Sequence, residues 1–221
     1  SQYIVFNEPV TAFAGNDVSV CFSDNNILLS NAASTGPIGT INWTRLPSSN
    51  GTFNNASNLN PTYTFGATER TAGFVNLRLQ ITPIAPTACP SVSDTIRITI
   101  HPRNFKSNDS LRICSGATLN YTPTSSVLGS TFTYTSSVLY GTVTGNTANG
   151  SGNITDNLVC TTPTNDSAVV QYNIIPFANG CPGEAYTFKV TIYPVATINT
   201  NPLAQAICSF NPTNIGLTSN V

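Results

Sequence analysis

The sequence predicts an all-β fold of tandem β-sandwiches, with about seven strands in each repeat. Three observations lead to this prediction. Short β-rich segments alternate with turn residues, no segment sustains a helical period, and one layout of strand, proline and cysteine recurs along the 221 residues. The chain is long enough for two ordinary domains, and its 40% of hydrophobic residues can fill their cores.

The recurring layout is the strongest signal, because a fixed sequence period defines a repeat architecture. A β-rich run ends at a proline, and a cysteine follows 12 to 14 residues later. The prolines are residues 9, 102 and 194, and the cysteines are residues 21, 114 and 208, so every spacing is 92 to 94 residues. A second cysteine series, Cys89 and Cys181, has a spacing of 92 residues, and a proline follows each member.

This spacing divides the chain into four segments. Residues 1–9 are predicted to be the last strand of a preceding repeat, 10–102 and 103–194 two full repeats, and 195–221 the opening strands of a following repeat. We therefore interpret the chain as part of a longer polypeptide or as a processed product. The junctions contain no Gly/Ser tract, which favours a stiff series over a flexibly linked one.

Each full repeat contains short candidate strands with β-branched or alternating residues. In the first repeat they are 18–22, 27–30, 40–45, 62–65, 74–83 and 95–101. In the second they are 111–114, 118–122, 131–136, 154–161, 169–175 and 186–193. Turn sequences such as Asn50-Gly51 and Asn149-Gly150 separate them. The strand count and repeat length predict an immunoglobulin-like sandwich, with Trp43 in its core rather than against a ligand.

Cysteine spacing predicts two disulfide bonds. Cys21 and Cys89 are 68 residues apart, and Cys114 and Cys181 are 67 apart, so we expect one bond within each repeat. A metal site would instead need close Cys or His pairs. Closing a loop of this length contributes about 4 kcal/mol of stability on the chain-entropy model. Disulfides indicate an oxidising location, which is extracellular, on the cell surface or periplasmic.

Two cysteines remain outside this scheme. Cys208 opens the last, incomplete repeat, so its partner is expected beyond residue 221. Cys160 has no counterpart in the first repeat, and two alternatives are open for it. It is either a buried free thiol or the partner of Cys208.

The sequence offers little for catalysis, and we predict that the segment is not an enzyme. His101 is the single histidine, so a nucleophile–base pair is almost unavailable. Nine carboxylates are scattered along the chain: Glu8, Asp17, Asp24, Glu69, Asp94, Asp109, Asp156, Asp166 and Glu184.

Composition also restricts the partners and cofactors. Charged residues are only 8% of the chain, against about 25% in an average soluble domain. The net charge of −1 provides no basic footprint for nucleic acid, and no apolar run approaches the roughly 20 residues of a membrane span. No cofactor is expected. The alternative is calcium in the loops at Asp24 or Asp156, although Asp and Asn are commoner as turn formers.

Several runs resemble a known repeat family. In the second repeat they are 113–123, 129–134, 154–158, 170–176 and 179–183, of which 113–118 reads Ile-Cys-Ser-Gly-Ala-Thr. They resemble the PKD-like repeat of very large surface proteins of Bacteroidota. Residues 14–17, 51–53, 60–63 and 89–94 of the first repeat resemble a sister pattern. Cys160 departs from the pattern, in which a polar residue is usual at that position.

The resemblance implies a β-sandwich fold, export through the outer membrane by the type IX system, and a place in a cell-surface adhesin. Long arrays of this kind resemble the mobile adhesins of gliding bacteria. The resemblance implies no catalytic residues. It does imply O-glycosylation where Asp is followed by Ser or Thr and a small or aliphatic residue, which selects Thr95, Ser110 and Ser167. Ser110 and Ser167 are favoured, because Thr95 begins a strand and is expected to be occluded.

Three functions are compatible with these observations. The first is a structural or adhesive stalk whose partners are the adjacent repeats of the same chain. The second is an accessory module that binds surface glycans or proteins through exposed aromatics, for which Tyr134, Tyr140 and Tyr172 are candidates. The third is a filament subunit that completes its neighbour by strand donation.

Glycosylation is testable on native protein. We expect intact-mass analysis to show added sugar, and peptide mapping to place it on Ser110 and Ser167. Unmodified masses at both serines would contradict the prediction.

Overall fold

The computed structural model describes residues 8–46, 49–84, 89–162, 166–196, 198–201, 206–212 and 215–219. Strands provide nearly all of the regular structure in these ranges, which confirms the predicted all-β fold class. The first seven residues of the strand predicted for segment 1–9 lie outside the described residues. Part of segment 195–221 also lies outside them. The chain divides into two units, Ser1–Arg103 with Asn179–Cys181, and Asn104–Ala178 with Pro182–Val221.

The first unit is a sandwich of two sheets. Its elements are β1 (Val18–Val20), β2 (Asn26–Leu28), β3 (Ile38–Leu46), β4 (Thr52–Phe53), β5 (Thr62–Thr64), α1 (Ala67–Ala72), β6 (Phe74–Pro83) and β7 (Val92–Ile100). One sheet has the order β1-β7-β6-β3 and the other β2-β5-β4. β1 runs parallel to β7, and the remaining pairs are antiparallel.

Strand β6 supplies the centre of this core. Its side chains alternate in burial, and Val75, Leu77, Leu79 and Ile81 point to one face. Trp43 on β3 is opposite Leu79 and is only 2% exposed, as predicted for a core residue. Its indole N–H donates to the Leu59 carbonyl at 3.2 Å, so the buried polar atom is satisfied.

Helix α1 was not predicted, because six residues are too few to show a helical period. Local contacts define its ends. The carboxylate of Glu69 accepts a hydrogen bond from the Gly66 N–H at 2.6 Å, which caps the first turn. Gly73 adopts a left-handed conformation with φ of 77°, and its N–H donates to the Glu69 carbonyl at 2.8 Å.

The second unit repeats this arrangement. Its strands are β8 (Asp109–Cys114), β9 (Thr131–Tyr140), β10 (Val143–Thr144), β11 (Asn149–Ser151), β12 (Val159–Cys160), β13 (Ala168–Ala178), β14 (Cys181–Pro182, which begins in the first unit), β15 (Tyr186–Tyr193), β16 (Ile198–Asn201) and β17 (Gly216–Ser219). The main sheet has the order β11-β9-β13-β15-β8, with β14 on β13. Pairs β10–β12 and β16–β17 are separate.

The two main sheets share one topology. β8 pairs in parallel with β15 as β1 does with β7, and β13 and β9 take the places of β6 and β3. Strand β13 buries alternate residues as β6 does, including Val170, Tyr172 and Ile174. The units differ at one edge, where β11 pairs with β9. Among the described residues, no strand pairs with the corresponding edge of β3.

The predicted strands 118–122 and 154–161 form less regular structure than expected. Isolated bridges join Thr118 to Asn157 and Tyr121 to Ile154, and only Val159–Cys160 becomes a strand in this region. Between the bridges, the side chain of Asp156 turns into the interior, where it is 4% exposed. The segment is therefore fixed as much by side-chain hydrogen bonds as by a backbone ladder.

Candidate functional site

A disulfide bond joins Cys21, directly after β1, to Cys181 in β14. The Cα atoms are 5.5 Å apart and the sequence separation is 160 residues. The predicted bonds Cys21–Cys89 and Cys114–Cys181 are therefore wrong, since each would need a cysteine that is already used. Equal spacing identifies equivalent cysteines, but a bond requires Cα atoms within about 4.4–6.8 Å. Residues 179–181 pack with the first unit and meet this requirement.

The other cysteines differ in exposure. Cys114, at the end of β8, and Cys208 are exposed free thiols, whereas Cys89 is half-buried. Cys160 is a free thiol in this structure, but it is not fully buried as the first alternative expected. It is half-buried against the core of the second unit, and its Sγ lies 3.4 Å from both Thr162 Oγ1 and the Asp166 carbonyl. That a partner for Cys208 lies beyond residue 221 stays a prediction.

Each unit also buries one carboxylate beside a buried tyrosine. In the second unit, Asp156 accepts hydrogen bonds from the Thr147 N–H at 2.9 Å, the Thr147 hydroxyl at 2.6 Å and the Tyr172 hydroxyl at 2.5 Å. Burial, together with the hydrogen bond to Asp156, raises the pKa of Tyr172 far above its ordinary value. The hydroxyl therefore stays a donor and ties loop residue 156 to the central strand β13.

Glu69 has the same role in the first unit and was not singled out from the sequence. It is 2% exposed and accepts hydrogen bonds from the Tyr63 hydroxyl, the Gly51 N–H at 3.1 Å and the Gly66 N–H. Burial and the bond to Glu69 raise the pKa of Tyr63. The Gly-x-x-Glu spacing at 66–69 is the one available signal, since it matches the offset of a capping box.

The loop at Asp24, which was the alternative calcium candidate, instead binds the guanidinium group of Arg70. The Arg70 guanidinium donates to the carbonyl oxygens of Phe22 and Asp24, the latter at 2.7 Å, and to Asn25 Oδ1 at 3.3 Å. The Asp24 carboxylate accepts from the Cys21 N–H at 2.8 Å, as a turn residue does. In the described ranges, no group of three or more His, Cys, Asp or Glu side chains could hold a metal ion.

The candidate glycosylation residues have different environments. Ser110 is exposed on β8, which is an edge strand, and Ser167 is half-buried just before β13. Thr95 is exposed on β7, so the expectation that it is occluded is wrong. Its side chain points away from the core because the neighbouring residue Ile96 points towards it.

Most of the candidate ligand-binding tyrosines are core residues. Tyr134 and Tyr172 are buried and pack edge to face with ring centroids 5.9 Å apart, whereas Tyr140 is 56% exposed. A separate cleft of about 490 Å³ lies beside the outer edge of β3, where the Trp43 N–H donates to the Ala56 carbonyl at 2.9 Å. Its lining residues are Trp43, Thr44, Arg45, Thr52, Phe53 and Ala56.

The family model described as the PKD-like domain matches residues 111–196. These residues cover most of the second unit, and the match agrees with the resemblance found in the sequence. Domains of this kind are commonly extracellular structural or adhesive modules without catalytic activity, and the disulfide is typical of that location. Among the described residues, no helix is long and apolar enough to cross a membrane.

The solved structures that match the chain include fragments of titin and of cadherin-23. The chain is 9% identical to an I67–I69 fragment of titin, with a TM-score of 0.45 and coverage of 96% of this chain and 76% of that one. It is 11% identical to mouse cadherin-23 EC22–24, with a TM-score of 0.42 and coverage of 87% and 68%. No curated protein matches the chain.

The buried tyrosine–carboxylate pair predicts a stability effect. Tyr172→Phe removes one hydrogen bond to the buried Asp156 and should lower the free energy of unfolding of the second unit by about 1–3 kcal/mol. Tyr140→Phe, at an exposed position, should change it by less than about 0.5 kcal/mol. Chemical denaturation with the disulfide intact measures both, and equal effects of the two variants would contradict the assigned role of Asp156.

Proposed function

We propose that this chain is a non-catalytic, load-bearing segment of a large secreted adhesin, of the kind that Bacteroidota present on the outer membrane. The Cys21–Cys181 disulfide carries the proposal. Cys21 belongs to the first sequence repeat and Cys181 to the second, so one covalent bond closes a loop over most of both repeats. The bond thus connects residue 21 to residue 181 by a covalent path that does not pass through residues 22–180.

Tension along the backbone follows the shortest covalent path. Force that enters before Cys21 and leaves after Cys181 passes through the sulfur–sulfur bond. The strands in between are held by hydrogen bonds and apolar contacts, and the bond shields them from that force. Low charge and a surface rich in Thr, Ser and Asn are compatible with an exposed, hydrated stalk. Adjacent repeats of the same chain are the proposed partners, and glycans or proteins of the target are contacted elsewhere.

Single-molecule stretching of the 221-residue chain, held at its two ends, tests this function. With the disulfide intact, no extension should come from residues 22–180. Reduction, or the Cys21→Ser/Cys181→Ser double variant, should add about 530–580 Å of contour length, at 3.3–3.6 Å for each of the 160 residues of separation.

Cys208→Ser is the matched control, because residue 208 lies outside the loop and its loss should leave the extension unchanged. Equal contour lengths for the oxidised and reduced wild-type chain would contradict a load-bearing disulfide.

The cleft at β3 supports a second candidate function, the binding of glycans or extended peptides by an accessory module. Phe53 is half-buried and Arg45 is exposed at its rim, so the cleft offers both an apolar contact and a charged donor. The Arg45 guanidinium also donates to the Gly51 carbonyl, which holds it at the rim.

Thr52→Arg would fill this cleft, whereas Thr71→Arg, at an exposed position on α1, adds the same side chain to a residue that does not line it. If the cleft binds glycans, retention on a glycan array should fall at least tenfold for Thr52→Arg alone. A loss of retention in both variants, or in neither of them, would rule out this site.

A further inference from the structure

The cysteines form two series with one observed bond between them. Residues 21, 114 and 208 belong to the series that follows the first strand of a repeat, and residues 89 and 181 to the series that precedes the last strand. Cys21 is bonded to Cys181, which lies in the next repeat, rather than to Cys89 in its own repeat. The bond therefore gives a rule in which a first-series cysteine pairs with the second-series cysteine one repeat later.

Cys114 is structurally equivalent to Cys21. β1 pairs in parallel with β7 through Val20 and Ile100, and Cys21 follows that pair. β8 pairs in parallel with β15 through Ile113 and Ile192, and Cys114 is the next residue, which is the last of β8 and lies opposite Tyr193. Cys114 is an exposed free thiol, so its Sγ is accessible to a second cysteine.

Within this chain, the second-series position that follows Cys89 is already occupied by the Cys21 bond. We propose that Cys114 forms a disulfide with the second-series cysteine of a following repeat, about 160 residues further along if the observed separation recurs. Overlapping bonds of this kind join each repeat to the next, and Cys208 stands at the same position one repeat later. This inference rests on the proposed function, since it requires a longer array.

The chemistry is a thiol–disulfide exchange with an oxidised dithiol oxidase. One thiolate attacks the disulfide of the oxidase and forms a mixed disulfide, and the thiolate of the second cysteine then displaces the oxidase. The two cysteine thiols lose two protons and two electrons in total. The oxidase disulfide accepts the electrons and leaves as a dithiol.

Cys160 is the competing partner within the second unit. Its backbone N–H donates to the hydroxyl of Ser115, the residue after Cys114, at 2.9 Å. Its sulfur, however, contacts Thr162 and the Asp166 carbonyl on the side of the core. The different exposures of Cys114 and Cys160 favour separate roles, with Cys160 staying reduced.

Peptide mapping of the native full-length protein tests the proposal. Free thiols are blocked with N-ethylmaleimide, the unreduced protein is digested, and linked peptides are identified by mass spectrometry. We expect the Cys114 peptide to be linked to a Cys-Pro peptide from a following repeat and Cys160 to carry the maleimide. The Cys21–Cys181 link in the same digest is the internal control.

Maleimide on Cys114, a Cys114–Cys160 link, or the lack of a following repeat with a second-series cysteine would overturn the proposal. In a chain extended by that repeat, Cys114→Ser should expose one additional thiol, whereas Cys160→Ser should expose none. The stretching experiment on the 221-residue chain does not involve Cys114. A failure of this inference is therefore distinguishable from a failure of the load-bearing function.

Discussion

Burial of one face of a central strand is the constraint on which each unit depends. β6 and β13 place every second side chain in the core. β6 lies between β7 and β3 in its sheet, and β13 lies between β15 and β9. A shift of one residue in register would move these apolar side chains to solvent. The parallel first strand then completes the sheet, and its position brings a cysteine to the end of both β1 and β8.

Hydrogen bonds to polar side chains inside each unit stabilise loops that are not paired in a sheet. A buried carboxylate is costly unless it is hydrogen-bonded. Glu69 and Asp156 each accept a hydrogen bond from a buried tyrosine hydroxyl and from at least one backbone N–H. Arg70 organises the loop at Asp24 through carbonyl oxygens in a comparable way. Three of the few charged side chains, Glu69, Asp156 and Arg70, therefore stabilise loops through hydrogen bonds.

The alternating and β-branched residues of 74–83 and 186–193 were sufficient to predict the central and final strands, because such patterns depend on local side-chain direction. Helix α1 and the weak bridges at 118–121 were not predictable in the same way. The helix is defined by one side chain and one left-handed glycine, and the bridges depend on Asp156 turning inwards. The role of Glu69 depends on Tyr63 and Gly51, which meet it only in the folded unit.

The sequence by itself determined the all-β class, the repeat period of 92 to 94 residues and the equivalence of cysteines within each series. These properties follow from composition and spacing, which are features of the chain alone. Only the tertiary structure decided that Cys21 pairs with Cys181 and that Asp156 binds Tyr172 rather than an exposed ligand. A disulfide or a buried hydrogen bond requires two groups to meet within a few ångströms, and sequence spacing does not specify which distant residues meet.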